Sequence, residues 1–328
     1  MLFRGNVMDF SGDPDTYCLS VMAYSNAGAL IEGNLIHVSA SQVPHNIVTA
    51  HSVYNQNERA AGVVLTNNTI STDSDSGDDI IGISAVSCCV GNNCVEKASI
   101  DLGANAVGVG NYVTDGSIFV NFMAVASGNR IQNGCIKVYD QSVVTGNIIA
   151  APSDAAAILS GKYGGNDIAA DRTPSITGNS ILSGSIGIHL NHNERPSNIN
   201  MSQTDALISG NRIWGCETPI QIDDNWSRCM VTGNMFPAGS ASVDNGTDNI
   251  VRLNSNDPGD SSGGGGGVAG VSSFKGRTGA VVPQTGDYTA AQVGAIASGA
   301  VQAVQVLTQA EYDALGTKSA STLYLIKE

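Results

Sequence analysis

A short phrase recurs through most of this chain: Gly-Asn, any residue, then usually Ile or Val. It stands at Gly5-Asn6, Gly33-Asn34, Gly91-Asn92, Gly110-Asn111, Gly128-Asn129, Gly146-Asn147, Gly178-Asn179, Gly210-Asn211 and Gly233-Asn234. Asn67-Asn68-Thr69-Ile70 is a variant, and Gly165-Asn166-Asp167-Ile168 is a candidate for another. With Asn68 taken for the variant, successive Asn numbers differ by 28, 34, 24, 19, 18, 18, 32, 32 and 23. The shortest spacings set a coil of about 18 residues, and the longer ones read as the same coil with loops inserted.

An apolar step precedes the phrase, as in Val143-Val144, Ile176, Leu207-Ile208 and Met230-Val231, and another apolar residue follows it. A coil this short has no partner for that apolar surface within itself, so it has to stack on its neighbours. Glycine suits a sharp corner with positive φ, while asparagine tolerates the left-handed region and can ladder its amide between coils. This is the logic of a β-solenoid. Helix-period patterns are missing from the body, which weakens leucine-rich and ankyrin-like alternatives. The composition agrees: 42% hydrophobic but 13% charged and 5% aromatic, with 39 glycines, suits short strands and tight turns.

The strings ISGNRI, VTGNII, ITGNSI and VTGNMF resemble coils of the right-handed parallel β-helix superfamily that contains pectate lyases, polygalacturonases and phage tailspikes. The resemblance covers about residues 1–250 and implies an all-β fold, a right-handed single-stranded parallel β-helix, expected over residues 1–256. It says little about activity, because the phrase is a turn requirement rather than a chemical one. Gly5-Asn6 already belongs to a coil, so the first rung is expected to be covered from outside: either the chain is a piece of a longer spike or it docks on another virion protein.

Five consecutive glycines, Gly263 to Gly267, sit in a stretch without core-forming residues, and residues 257–270 read as a linker. Residues 271–298 begin VSSFKGRTGAVVPQTGDYTAAQVGA, which is similar to a module of phage tail-fibre and collar proteins, departing from its usual form at Lys275, where Asn is more common. Within residues 299–328, the stretch LTQAEYDALGTKSASTLYLIKE resembles a terminal segment of phage structural proteins. Its own pattern predicts a helix from about Gln309 to Leu315, a stop at Gly316 and a strand from Leu323 to Ile326, making a small C-terminal α+β assembly region.

Strand alternation puts Lys137, His189 and Gln221 on the outside, since each lies between two apolar residues: Ile136-Lys137-Val138, Ile188-His189-Leu190 and Ile220-Gln221-Ile222. The loops leaving these strands carry Tyr139, Asp140, His192, Glu194, Arg195, Asp223, Asp224 and Trp226. Glycoside hydrolysis needs two carboxyl groups roughly 5 to 9.5 Å apart. Asp223, Asp224 and Glu194 are the candidates for that pair. Glycan binding needs an aromatic face with polar groups beside it, for which Trp226, Tyr139, Lys137, His189 and Gln221 are the candidates. The bland alternative is a set of solvated turn residues, because Asp and Asn favour solenoid corners for conformational reasons.

Other clusters point less far. Seven cysteines read mainly as small apolar stack residues in a reducing compartment. Cys88, Cys89 and Cys94 have no nearby His and no second Cys pair at zinc spacing, so no metal is expected. Asp73, Asp75, Asp78 and Asp79 lack the terminal Glu of a complete calcium loop and read as an exposed acidic insertion. His37, His45 and His51 read as surface residues, and Trp214 is placed equally well under a loop or at a ligand. The net charge of -14 argues against nucleic acid, which needs clustered cations. No apolar run approaches the roughly 18 residues of a membrane span, and Met1 to Asp9 do not look like a signal peptide, so a soluble chain without membrane insertion or cofactor is expected.

Together, the resemblances imply a homotrimeric phage tail fibre or spike component. It would be assembled in the host cytoplasm with other tail or baseplate proteins, carried in the virion tail and directed at a host-surface glycan. The enzymatic alternative is a depolymerase that cleaves such a glycan by hydrolysis or elimination.

Overall fold

The computed structural model describes residues 1–11, 17–24, 28–39, 46–53, 62–73, 80–139, 141–160, 173–191, 203–255, 273–274, 277–278 and 301–327. The chain divides into two compact units, Met1–Gly267 and Val268–Glu328.

The first unit is a parallel β-helix, as the repeated phrase implies. The coils lay down short strands on three faces that pair in parallel with their equivalents in neighbouring coils, and Gln203–Thr204 with Trp226–Ser227 adds a separate two-stranded parallel sheet. Eleven strands form the first face, from Leu2–Arg4 through Val125–Ser127 to Ile250–Arg252. The second face follows the Gly-Asn corner, from Val7–Phe10 to Arg212–Ile213. The third runs from Tyr17–Tyr24 to Val243–Asp244. The long strand Ser180–Leu190 passes through both the second and the third face.

Register in the short coils is an 18-residue step on each face: Ala126 pairs with Val144, Val113 with Ile131, and Ile118 with Ile136. These residues point inward and join one continuous buried cluster of Val, Ile, Leu and Ala running through the coils. The alternation of the pleat fixes which side each residue takes, so a slip by one residue would expose the whole set.

At the corner between the first and second faces the asparagines form a ladder. Its members are Asn6, Asn34, Asn68, Asn93, Asn111, Asn129, Asn147, Asn179, Asn211, Asn234 and Asn254. At each step the backbone N–H and the side-chain Nδ2 both donate to Oδ1 of the next rung; Asn111 to Asn129 is typical, with both distances 2.9 Å. The amide also donates to a backbone carbonyl of the preceding coil, as Asn129 Nδ2 does to Gly108 O at 3.1 Å. The amides from Asn34 to Asn254 are buried yet saturated, which is the condition under which a buried polar row stabilises.

The ladder corrects the reading of the phrase in three places. The left-handed residue is the one before the ladder Asn: glycine at Gly110 (φ 67) and Gly128 (φ 62), but Asn67 (φ 57), Asn92 (φ 53) and Leu253 (φ 59) elsewhere. In Gly91-Asn92-Asn93, therefore, Asn92 takes the glycine's place and Asn93 is the rung, 18 residues from Asn111. Leu253-Asn254 is a rung with no Gly-Asn phrase at all. The ladder passes directly from Asn147 to Asn179, and Asn166 lies outside the described residues.

A second corner stacks equally tightly. Ideal Cβ geometry on Gly134 would lie 1.8 Å from the carbonyl oxygen of Gly116 one coil away, so the rungs approach as closely as glycine allows.

In the second unit, strands Ala303–Thr308 and Thr322–Lys327 pair in parallel and are joined through the helix Gln309–Asp313. Thr308 and Glu311 form a capping box: Glu311 N–H donates to Thr308 Oγ1 at 3.3 Å and Thr308 N–H to Glu311 Oε2 at 2.8 Å. That backbone bond to the carboxylate holds Glu311 below the usual glutamate range. The helix is shorter than its pattern predicts, capped at Ala314, and the strand is longer. Further upstream, Ser273–Phe274 pairs antiparallel with Arg277–Thr278.

Candidate functional site

The third face carries the candidate wall. Ile188, Leu190, Ile220 and Ile222 are buried, which turns His189 and Gln221 outward as alternation requires. The two are register partners. Lys137 belongs to the same outward column, with Leu159 between it and His189. Its Nζ lies 5.0 Å from the centroid of Phe119, the next residue down the column.

Asp223 follows the Gln221 strand by one residue, its N–H bonded to Leu190 O at 3.0 Å, and its carboxylate folds back onto the column. His189 Nε2 lies 3.2 Å from both oxygens of Asp223, and Gln221 Nε2 donates to Oδ1 at 2.9 Å. The side chains of His189 and Asp223 are only 14% and 18% exposed. Because the Asp223 carboxylate only accepts, we assign His189 the Nε2–H tautomer, with the imidazole and the Gln221 amide both donating to that carboxylate and their nitrogens 3.1 Å apart. The cluster is a partly shielded acceptor flanked by an imidazole and an amide. Such a set can accept and donate hydrogen bonds to ligand hydroxyls, and its histidine and carboxylate can exchange a proton with a bound group.

The other candidates disperse. Asp224 is exposed on the turn beside Asp223. Tyr139 is half-buried just past the Lys137 strand. Trp226 departs from its expected role: it is 2% exposed, packed in the core, with its indole Nε1 donating to Asn191 O at 3.1 Å, so its ring offers no face to a sugar. Glu194, Asp140, His192 and Arg195 lie outside the described residues.

Sequence reasoning missed the lower half of the column. Ser84, Asp101 and Phe119 continue it below Lys137, and Asn121 Nδ2 donates to Asp101 Oδ1 at 2.6 Å. The signal was present, because Ile100-Asp101-Leu102 and Ile118-Phe119-Val120 repeat the pattern that marked Lys137.

The remaining clusters separate in space. Cys88 is buried, and burial pushes its thiol up to about 11; Cys89 is exposed on the same strand, and Cys94 lies past the corner on the second face. His37 bonds Ser71 Oγ at 2.9 Å and lies 3.5 Å from Asp73, while His45 and residues 74–79 lie outside the described residues. Trp214 is half-buried with the Arg212 guanidinium 5.3 Å from its ring. Among the described residues no helix is long and apolar enough to cross a membrane.

Residues 303–327, the strand–helix–strand of the second unit, match the family model of the phage tail tip domain. Over this stretch the chain is similar to that family. The C-terminal resemblance implied as much, and the match spans the capping box and both paired strands. Among solved structures, the Dettilon tailspike protein is similar at 13% identity and a TM-score of 0.44, over 76% of this chain and 55% of that one. Tailspike protein 3 of bacteriophage CBA120 is similar at 10% identity and a TM-score of 0.39, over 76% of this chain and 52% of that one. The chain thus spans about half the length of each tailspike. No curated protein matches it.

Proposed function

We propose that this chain is a fibre or spike component of a phage tail that contacts a host-surface glycan through the outward column of its third face. In this reading the protein is a homotrimer, assembled in the host cytoplasm and joined to other tail or baseplate proteins in the virion. The observation that carries it is the tail tip domain at residues 303–327 on the same chain as an eleven-rung β-helix. The column supports the glycan part: Asp101, Phe119, Lys137, His189 and Gln221 bring an aromatic ring and both hydrogen-bonding types onto one wall.

The test is binding of the full chain to immobilised surface polysaccharide from the bacterium on which the encoding phage grows, with reducing ends assayed in the same wells. We expect saturable binding that weakens at least about tenfold, a difference of about 1.4 kcal/mol, in Lys137→Ala/His189→Ala, without release of reducing ends. Release that disappears in Asp223→Ala/Asp224→Ala would instead establish the depolymerase. Absence of both binding and release, together with absence of the chain from purified particles by mass spectrometry, would overturn the reading.

A further inference from the structure

The first face of the β-helix carries an outward stripe that its solvent position does not explain. Strand register stacks Leu30, Val64, Val107, Val125, Val143 and Met230 in one column, which runs through all eleven rungs from Leu2 to Ile250. Only Cys89 and Ser175 interrupt the row of aliphatic and Met side chains. These residues point away from the core: Val107 is 37% exposed, Met230 45% and Ile250 38%. On an antiparallel or parallel sheet alike, a face meant for water alternates with polar side chains at such positions.

The neighbouring outward column reinforces the contrast. Between Glu32 and Arg252 it holds only Thr, Ser, Gly and Val, so the face is without charge over eight successive rungs. The charge lies elsewhere in a chain whose net value is -14. Copies of so acidic a chain repel one another wherever carboxylates meet, and an uncharged face is where they approach without that cost.

Eleven rungs at about 4.8 Å make the stripe about 48 Å long, and at a width of about 10 Å it presents roughly 500 Å² before its flanks are counted. Each partner in a specific complex buries about 800 Å², so the stripe alone provides more than half of one side.

We propose that this stripe is the surface along which copies of the chain associate, matching rung on matching rung. The parallel sense rests on the tail reading, since every copy must send its C-terminal unit from the same end. The number of copies is left to the mass measurement below.

The experiment is the solution mass of the full chain by light scattering, with cross-linking through Cys89, which is exposed at the fourth rung of the stripe. The parent is expected at a multiple of 33.6 kDa. A short bis-maleimide should join two copies, and Cys89→Ser should abolish the product. Val125→Asp/Val143→Asp should return the mass to 33.6 kDa with the β-sheet circular dichroism intact, whereas Thr114→Asp, outward on the second face, should not. If the double variant does not fold, Cys89→Arg places a cation at an exposed position on the same stripe and should dissociate the copies. A monomeric parent overturns the proposal, as does an oligomer that survives both variants and resists cross-linking at Cys89. Either failure would leave the polysaccharide-binding and particle measurements untouched; a monomeric parent would also remove the homotrimer from the tail reading, while its glycan and virion parts are decided by those separate measurements.

Discussion

The two units of this chain treat their apolar residues in opposite ways. In the β-helix the coils bury an inward set of Val and Ile against their neighbours, and residues such as Ile36, Ile100, Ile136 and Ile208 have no exposure at all, the outward stripe of the first face being the exception. In the C-terminal unit the paired strands leave Val304 58%, Val306 59%, Leu323 42% and Leu325 48% exposed, and the connecting helix buries nothing. A repeated coil supplies its own covering layer, because each rung is the neighbour of two others. Among the described residues the strand–helix–strand segment has no second layer, and a sheet face of that kind is stabilised only when something else lies on it.

The difference can be broken most sharply at the ladder. Asn129→Ala removes the acceptor of both Asn111 donors and the donor to Gly108 O, leaving the Asn111 backbone N–H buried without its partner. Denaturant titration should show a loss of about 4 kcal/mol, from about 1–3 kcal/mol for each orphaned group. A loss below about 1 kcal/mol would mean that the stacked apolar residues, not the amides, hold the rungs. Gly134→Ala should cost at least about 3 kcal/mol in the same assay, because its Cβ meets backbone rather than a side chain that can move aside.

Alkaline pH offers a milder probe of the buried interior. Burial pushes the thiols of Cys88, Cys216 and Cys229 up to about 11. The folded state favours the neutral thiol, so the contribution of these groups is whole below about pH 8.5, where unfolded thiols begin to ionise, and is lost as pH approaches about 11. Melting temperature should therefore fall between these values by more than in a Cys88→Ala/Cys216→Ala/Cys229→Ala variant measured alongside. Equal slopes would remove the thiols from the account.

Leu253→Gly should stabilise the β-helix by about 1 kcal/mol, since Leu253 is exposed and held at φ 59, which costs a non-glycine residue about that much. The smallest effect belongs to the other unit. Val304→Ser/Val306→Ser should move the melting transition of the dissociated chain by no more than about 0.5 kcal/mol, as exposed positions do. A larger shift would show that these strands already have a covering layer.

How much of this was legible from the residues follows from what each residue type can do. The fold was legible because Gly-Asn states two requirements at once, a left-handed residue and an amide in the ladder. It misled where the requirements part: Asn92 meets the first and Asn93 the second, and at Leu253 the first is met by a residue no turn rule would choose. The column at Lys137, His189 and Gln221 was legible from alternation alone, because flanking Ile, Leu and Val fix the side. Trp226 was not, because it stands just past the turn at Asp223 in a strand of two residues, Trp226–Ser227, too short to show alternation, and there the direction of a side chain is set by the tertiary packing that buries it. The Asp223 contact with His189 was equally invisible, since it joins residues 34 positions apart.

The 18-residue step of the ladder also makes the molecule a ruler. Between Asn93 and Asn147 every coil has the same count, the same corners and the same pairing register. Removing residues 110–127 would therefore join Val109 to Gly128 with each amide still facing an amide, shortening the body by about 4.8 Å while leaving the geometry of both ends alone. Length, in such a β-helix, is adjusted in whole graduations, independently of what its remaining coils carry on their outer faces.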